Sequence, residues 1–362
     1  MSARALKSIF RLCGLALCCC CLLSGAQTIA AQTVAVSSDQ VAETVARLKL
    51  GQLGETQSAL ALGQVLLSEA RYPEAYDLFA ALLEQLPREG VALYGASLAA
   101  FNLGRAAEAE PLARHAVEIY LAPVNANLSA SVSPEQRRRG ADALVLLAVI
   151  LGSRGADNEA LKISERAVAL APENFDAQFT LGRARYTVGD SAAAVLAFRA
   201  ALALLPGDAR TRFFLATALE GADKLDEALS VYRELVVSQP RVANGHLGLG
   251  SLLLKRGGAE TEKGIAELQT AISLDPNLYE AQVGLGRALL SQKRAEESLA
   301  PLRRAAELAP TNPEPHYQLA LAYRRLGLTE KAAAETAIVK RIHEARRGEA
   351  APNGREIRPE QQ

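Results

Sequence analysis

The chain has 362 residues, of which 49% are hydrophobic, 22% are charged and 5% are aromatic, and its formal net charge is zero. This composition, rich in alanine and leucine, favours helices packed on helices over a β-rich fold. The balanced charge argues against nucleic-acid binding, for which a basic excess is the usual electrostatic signature.

Residues 1–26 have the pattern of a secretory signal peptide, with a basic start followed by an apolar run over residues 12–23. Small residues predict cleavage after Ala26, with a second possible site after Ala31. The apolar run is shorter than the ~20 residues that span a bilayer. We therefore expect an exported chain with no integral membrane span after cleavage.

The five cysteines are Cys13 and the run from Cys18 to Cys21, all within this leader. Cleavage removes them, which excludes disulfides, cysteine nucleophiles and thiolate metal sites from the exported product. Lipid attachment at Cys18 is the alternative, but Leu17 precedes it, where bacterial lipoprotein signals usually carry a small residue. A periplasmic location is thus favoured over a lipid anchor.

Residues 34–55 predict one amphipathic helix, with Ser38 or Asp39 as its N-cap and an apolar stripe that begins at Val41. If the repeat described next is continued backwards, this helix falls where the second helix of a preceding unit would lie. We expect it to cap the array, because terminal repeats expose a face that is buried elsewhere.

A pattern with a period of thirty-four residues follows, and it is clearest in two adjacent copies that share seven positions. In the first copy these positions are Leu181, Gly182, Ala184, Ala194, Phe198, Ala201 and Pro206. In the second copy they are Leu215, Ala216, Ala218, Ala228, Tyr232, Leu235 and Pro240. Further small or proline markers in later copies are Gly250, Pro276, Gly286 and Pro310.

Each copy reads as a helical hairpin. Apolar residues at helical spacing break at Gly189-Asp190 and then resume. Small residues such as Gly182 and Ala194 allow helices to approach closely, and a larger side chain there would cost roughly 1–3 kcal/mol. Pro206 ends the second helix, because proline lacks the amide donor that continuation requires.

This period, with its small, aromatic and proline positions, resembles the tetratricopeptide repeat. The family's frequent tryptophan near the start of the unit is replaced by Gln178, Arg212, His246, Gln282 and His316. The resemblance implies an all-α, right-handed superhelical solenoid of antiparallel helix pairs, with about eight repeats and an N-terminal capping helix.

The predicted organisation is repeats 1–2 over residues 56–123, an insertion over 124–140, repeats 3–8 over 141–346 and a disordered tail over 347–362. Ser133 begins a capping-box sequence within the insertion, so the next helix is expected to start early.

Two further motifs lie in this insertion. The basic run from Arg137 to Arg139 is expected to be solvated, with contact to an acidic partner as the alternative. Asn127 begins a glycosylation sequon, which matters only in a eukaryotic secretory setting.

The sequence offers no convergent catalytic constellation. We find no metal-ligand spacing, nucleophile elbow or P-loop, and we therefore predict no catalytic or metal residues and no cofactor. His246 and His316 occupy equivalent positions where packing residues belong. The glycine run over 245–250 has no preceding strand, so close helix packing explains it better than phosphate binding.

In related arrays, ligand contacts come from one face of the first helices, which line the concave side. That face could hold an apolar or amphipathic peptide whose carboxylates pair with arginines, whereas the alternative is that its residues serve packing. The candidate groove residues are Tyr94, Val145, Phe179, Arg183, Tyr186, Phe213, Leu247, Val283, Arg287, Tyr317 and Arg324.

The lysine and asparagine clamp of the chaperone-binding subset is not expected here. The position of that lysine is taken by Val145, Phe179, Phe213 and Leu247.

The sequence therefore predicts a non-enzymatic scaffold or adaptor of the cell envelope that binds protein or peptide partners. The resemblance implies envelope assembly, secretion or polysaccharide export without choosing among them. Two alternatives remain: a carbohydrate-binding or enzyme-associated helical array, and a self-assembling structural protein.

Overall fold

The computed structural model describes residues 37–51, 54, 56–125 and 133–350. The predicted signal peptide with its cleavage sites, the sequon at Asn127 and the chain beyond Ala350 lie outside this described part. Within it there are seventeen α-helices, one short 3-10 helix and no strand, which confirms the all-α class. The chain forms two compact units, Met1–Ala222 and Asp223–Gln362.

The helices of the first unit are joined mostly by short turns. They are α1 (Ser38–Lys49), α2 (Thr56–Ser68), α3 (Tyr72–Gln85), α4 (Gly90–Asn102), α5 (Ala106–Asn125), α6 (Pro134–Ser153), α7 (Asp157–Leu170), α8 (Phe175–Thr187), α9 (Ser191–Leu204) and α10 (Ala209–Gly221).

The second unit continues the same succession. Its helices are α11 (Leu225–Ser238), α12 (Ala243–Arg256), α13 (Thr261–Leu274), α14 (Tyr279–Ser291), α15 (Ala295–Leu308), α16 (Pro313–Arg325) and α17 (Thr329–Ala350), with the 3-10 helix Gly258–Glu260 before α13. This extra turn accommodates the two additional residues of the sixth repeat.

Within each unit, helices pack first as hairpins and then hairpin on hairpin. The pairs α2/α3, α4/α5, α6/α7 and α8/α9 form the hairpins of the first unit, and α12/α13, α14/α15 and α16/α17 form those of the second. Each second helix also packs on the first helix of the next repeat, and successive first helices lie side by side. Each unit is therefore a solenoid of antiparallel helix pairs.

The turn between the two helices of a repeat has one recurring backbone feature. Its second residue after the first helix adopts a positive φ, from 57° at Ala70 to 94° at Gly189. This left-handed region costs an L side chain roughly 1–2 kcal/mol but is open to glycine. Glycine occupies most of these turns, and Ala70, Asp223 and Lys293 occupy the rest.

In several repeats, stacking depends on one large side chain in the second helix, which we call the stacking side chain. In the first repeat it is Phe79, which is fully buried. A Cβ placed at Gly63 of the same repeat would lie 2.6 Å from its Cε1, and one at Gly95 of the next repeat would lie 2.5 Å from its Cζ. Glycine at both positions therefore makes the space that Phe79 fills.

The same arrangement recurs in the second unit. A Cβ at Gly248 would lie 2.8 Å from Cδ1 of the stacking side chain Tyr232. Gly250 faces the carbonyl oxygen of Gly264, which a Cβ would approach to 2.9 Å. Close packing of α12 thus accounts for its glycine run, as predicted.

Of three helix ends that the sequence analysis predicted, one agrees with the structure and two differ. The N-cap of α1 is Ser37, whose hydroxyl accepts from the amide of Gln40, rather than Ser38 or Asp39. The capping box at Ser133 is confirmed, and α6 starts early within the insertion. The last helix continues to Ala350, so residues 347–350 belong to α17 and not to the predicted tail.

Candidate functional site

In each unit the first helices present parallel stripes of side chains. On α14 the stripe passes through Glu280, Val283, Arg287 and Leu290, and on α16 it passes through Glu314, Tyr317, Leu321 and Arg324. Spacings of three and four residues place these side chains on one face of each helix.

In the first unit, several candidate residues serve the core. Val145, Phe179 and Phe213 are 6%, 1% and 5% exposed. The ring of Phe179 lies 5.8 Å from that of Phe198 and 5.5 Å from that of Phe214, measured between centroids. These distances are those of packed aromatic pairs, so Phe179 links three helices of the first unit.

The neighbouring candidates Tyr94, Arg183 and Tyr186 are half-buried. Burial, followed by the nearby carboxylate of Glu220, raises the pKa of Tyr186 to about 12. The Arg210 guanidinium lies 4.3 Å above the ring of Phe179, a cation–π distance. The accessible part of this face is therefore a mixture of ring edges and arginines.

In the second unit, the candidates divide sharply by burial. Leu247 and Val283 are buried, whereas Tyr317 is 60% exposed and the side chain of Arg287 is 58% exposed. Arg324 is also exposed, and its Nη2 donates to Thr336 Oγ1 at 3.2 Å.

These exposed side chains lie on neighbouring helices. Arg287 Nη1 donates to Glu314 Oε1 at 3.4 Å, which places it one helical turn from Tyr317. Arg325 of α16 also bonds to the carbonyl oxygen of Leu290 on α14. We call Arg287, Tyr317 and Arg324 the α14/α16 surface.

Two carboxyl groups on the first-helix stripes are unusual in their burial. Burial raises the pKa of Glu280. Burial also raises the pKa of Asp142. The hydrogen bond that Asn174 Nδ2 donates to Asp142 Oδ1 at 2.8 Å acts in the opposite direction and lowers this pKa, but burial has the larger effect. Burial therefore disfavours the charged form of both carboxyl groups.

The positions that replace the family's tryptophan have a structural role that the sequence analysis missed. Gln178 and Gln282 each donate a hydrogen bond at 3.0 Å to the carbonyl of the proline six residues earlier. Arg212 does so at 2.7 Å, and His246 Nε2 lies 2.9 Å from the equivalent carbonyl. These side chains fix the turn between repeats. The available signal was a polar residue six positions after the proline in these four repeats; His316 follows Pro310 at the same spacing, but its Nε2 has no hydrogen-bond partner among the described residues.

A second missed contact uses the asparagine N-caps. Asn174 Oδ1 accepts from the amide of Ala177 at 3.0 Å while its Nδ2 bonds to Asp142 in the preceding repeat. Asn312 repeats this geometry, because its Nδ2 donates to the Tyr279 hydroxyl at 2.7 Å. Each asparagine thus caps the first helix of its repeat and hydrogen-bonds to the first helix of the preceding repeat.

The described residues lack two kinds of feature, namely metal-ligand clusters and membrane-spanning helices. They contain no group of three or more His, Cys, Asp or Glu that could hold a metal ion. No helix in residues 37–51, 56–125 or 133–350 combines the length and apolar character needed to cross a bilayer. His246 and His316 each lie 2.7 Å from a glutamate, Glu267 and Glu335, on the partner helix of the hairpin.

The structure thus places the candidate groove residues at three levels of exposure. It leaves Arg287, Tyr317 and Arg324 exposed on two neighbouring first helices and buries Val145, Phe179, Phe213, Leu247 and Val283. Ligand contact by any of the candidates stays a prediction.

Comparisons with known proteins address the family and the fold. A family model described as Tetratricopeptide repeat matches residues 60–123, 158–209 and 213–262, and one described as TPR repeat matches residues 286–327. A search of curated proteins finds no significant match.

Among solved structures, a tetratricopeptide repeat protein from Parabacteroides merdae is 16% identical, with 74% of this chain and 98% of that chain covered and a TM-score of 0.55. PilF from Pseudomonas aeruginosa is 18% identical, with 60% and 99% covered and a TM-score of 0.50. At these identities the similarity concerns the fold.

Proposed function

Because the chain belongs to the tetratricopeptide-repeat family, we propose that it is a non-enzymatic scaffold or adaptor of the cell envelope, which binds a segment of a partner protein on its first helices. The observation that carries this proposal is the α14/α16 surface, where Arg287, Tyr317 and Arg324 are exposed on adjacent first helices. Aromatic and arginine side chains are enriched among the residues that dominate protein interfaces.

The chemistry of this surface favours an amphipathic partner segment. Tyr317 offers a large apolar area at low cost in side-chain entropy. Arg287 and Arg324 offer planar donor groups that match carboxylates in two-point hydrogen bonds. A segment with one apolar side chain flanked by acidic ones would satisfy both.

A capture experiment tests the binding surface. The exported chain would be immobilised and exposed to native envelope extract, beside a variant with Tyr317→Ala, Arg287→Ala and Arg324→Ala. A control variant would carry Arg233→Ala and Arg341→Ala, which alter exposed arginines on the second helices α11 and α17. We expect the surface variant to lose a partner that the control retains, because hot-spot substitutions weaken binding by more than about tenfold. Equal capture by all three chains would contradict the proposal.

The envelope location is a separate part of the proposal, supported by the leader pattern of residues 1–26. Amino-terminal sequencing of protein from the periplasmic fraction should give a chain that starts at Gln27 or Gln32. Recovery of the protein only in the cytoplasm with an intact leader would refute this location while leaving the binding surface standing.

A further inference from the structure

Helix α2 exposes one face to solvent, whereas the equivalent face of the first helix in later repeats is covered by the preceding second helix. Its members, which we call the stacking face, are Ser58, Ala61 and Val65, all of them exposed, with Val65 at 41%. The preceding helix α1 packs against α3, with Val41 and Leu48 buried, and leaves these three residues uncovered.

The equivalent positions in later repeats lie under the second helix of the preceding repeat. The position of Val65 is buried in six later repeats, at Ala99, Ile150, Ala218, Leu252, Ala288 and Ala322, and half-buried in one, at Ala184. The position of Ala61 is taken by Gly95 in the next repeat and by Gly248 in the second unit. The stacking face is thus one half of a junction that the fold completes repeatedly elsewhere.

The junctions between later repeats show what kind of helix would cover the stacking face. Where the position equivalent to Ala61 is glycine, a large side chain from the preceding second helix lies on it, as Phe79 lies on Gly95 and Tyr232 on Gly248. Leu268 does the same at Gly284, where a Cβ would be 3.2 Å from its Cδ1. The complementary object is therefore an α-helix that carries one large apolar side chain.

The absence of charged residues on α2 disfavours a charged helix as the occupant of the stacking face. Helix α2 contains no charged residue from Thr56 to Ser68, so a charged helix face would lose hydration there without gaining an ion pair. End-to-end stacking of a second copy would bring its last described helix, α17, onto this face. That helix has Thr336 where a stacking side chain belongs and carries Lys340 and Arg341 soon after.

We propose that the stacking face of α2 docks an amphipathic helix of a partner protein, whose uncharged side places a large apolar side chain on Ala61 beside Val65. This site differs from the first-helix stripes, because it uses the side of α2 that faces backwards along the array. The partner helix would take the place of a preceding second helix.

The chain itself supplies a defined probe. A fluorescent peptide of residues 71–87 reproduces the second helix that places Phe79 on Gly95 at the next junction. Its anisotropy would be titrated with the exported chain, with Val65→Lys as the test variant. The matched control is Val237→Lys, which alters an exposed valine, 81% accessible, on α11. Circular dichroism and thermal unfolding would confirm that both variants fold.

We expect the peptide to bind the exported chain and its Val237→Lys variant equally. Val65→Lys, or Phe79→Ala in the peptide, should weaken binding by at least about tenfold. Absence of peptide binding would overturn the proposal. Binding that Val65→Lys leaves unchanged would also overturn it, because the peptide would then be replacing α3 in its own repeat. If the peptide bound only to a variant that begins at Ser37, the stacking face would be assigned to the chain's own amino-terminal residues. A concentration-dependent mass that Val65→Lys abolishes would assign it to a second copy. Either result would overturn a partner helix.

Discussion

Substituting Gly95 by alanine should destabilise the protein in the natural sequence and stabilise it once Phe79 is removed. Gly95 lies within α4, where alanine is intrinsically favoured over glycine by about 0.8–1.0 kcal/mol. Against this, the added Cβ would lie 2.5 Å from Cζ and 2.8 Å from Cδ2 of Phe79, far inside van der Waals contact. Overpacking of this kind costs about 1–3 kcal/mol. The net change for Gly95→Ala is therefore a loss of up to about 2 kcal/mol.

Phe79→Ala alone should cost about 3–5 kcal/mol, because the ring is completely buried. In that background the clash at position 95 is gone, and Gly95→Ala should stabilise by up to about 1 kcal/mol. The sign of one substitution thus depends on the other residue, and a double-mutant cycle isolates this coupling. Denaturant unfolding followed by circular dichroism would measure all four chains.

Gly152 provides the control, because a Cβ there meets nothing closer than Ala160 Cβ at 3.9 Å. Gly152→Ala should stabilise in both backgrounds. If Gly95→Ala had the same sign with and without Phe79, the account of stacking through glycine positions would be refuted.

Three further predictions concern individual contacts. Asn174→Ala removes both the cap on Ala177 and the bond to Asp142, and it should cost about 1–2 kcal/mol in denaturant unfolding; an unchanged midpoint would show that the bridge contributes nothing. Asp142→Asn keeps an acceptor for Asn174 and removes a carboxyl whose pKa is raised by burial. Since a raised carboxyl pKa makes the folded state lose stability as pH rises, this variant should be more stable than the natural chain at neutral pH. Its advantage should vanish in acid, and a pH-independent difference would contradict the assignment. Lys293→Gly, at a φ of 62°, should raise the thermal midpoint by relieving up to about 1 kcal/mol of backbone strain; a lower midpoint would show that the turn is unstrained.

Local features of the fold were predictable because they depend on neighbouring residues. The capping box at Ser133 and the turn glycine at Gly189 each determine the backbone within one helical turn. The recurring small and proline positions likewise define hairpins of fixed length. The helix α1 was predicted too, but its N-cap is one residue earlier than expected, and it packs against α3 instead of covering α2 as the second helix of a preceding repeat would.

The candidate site was only partly predictable, because an apolar residue at helical spacing serves packing and binding equally well. Phe179 and Tyr317 hold equivalent positions in their repeats, yet one is 1% exposed and the other 60%. The difference comes from neighbours: Phe198 and Phe214 enclose Phe179. Such contacts join residues that are distant in the sequence, so periodicity alone does not show them.

The contacts between repeats were missed for the same reason. Asn174 reads as an ordinary N-cap, and only the structure shows that its amide reaches Asp142 across 32 positions. Gln282 was identified as a substitute for tryptophan, whereas its role is a hydrogen bond to the carbonyl of Pro276.

Hydrogen exchange on the protein with its captured partner tests most directly whether partners bind on the first helices. We predict slower exchange on binding in α14 and α16, around Arg287 and Tyr317, with α15 between them in sequence unaffected. Protection confined to the second helices, or none in either unit while the partner remains bound, would contradict the account.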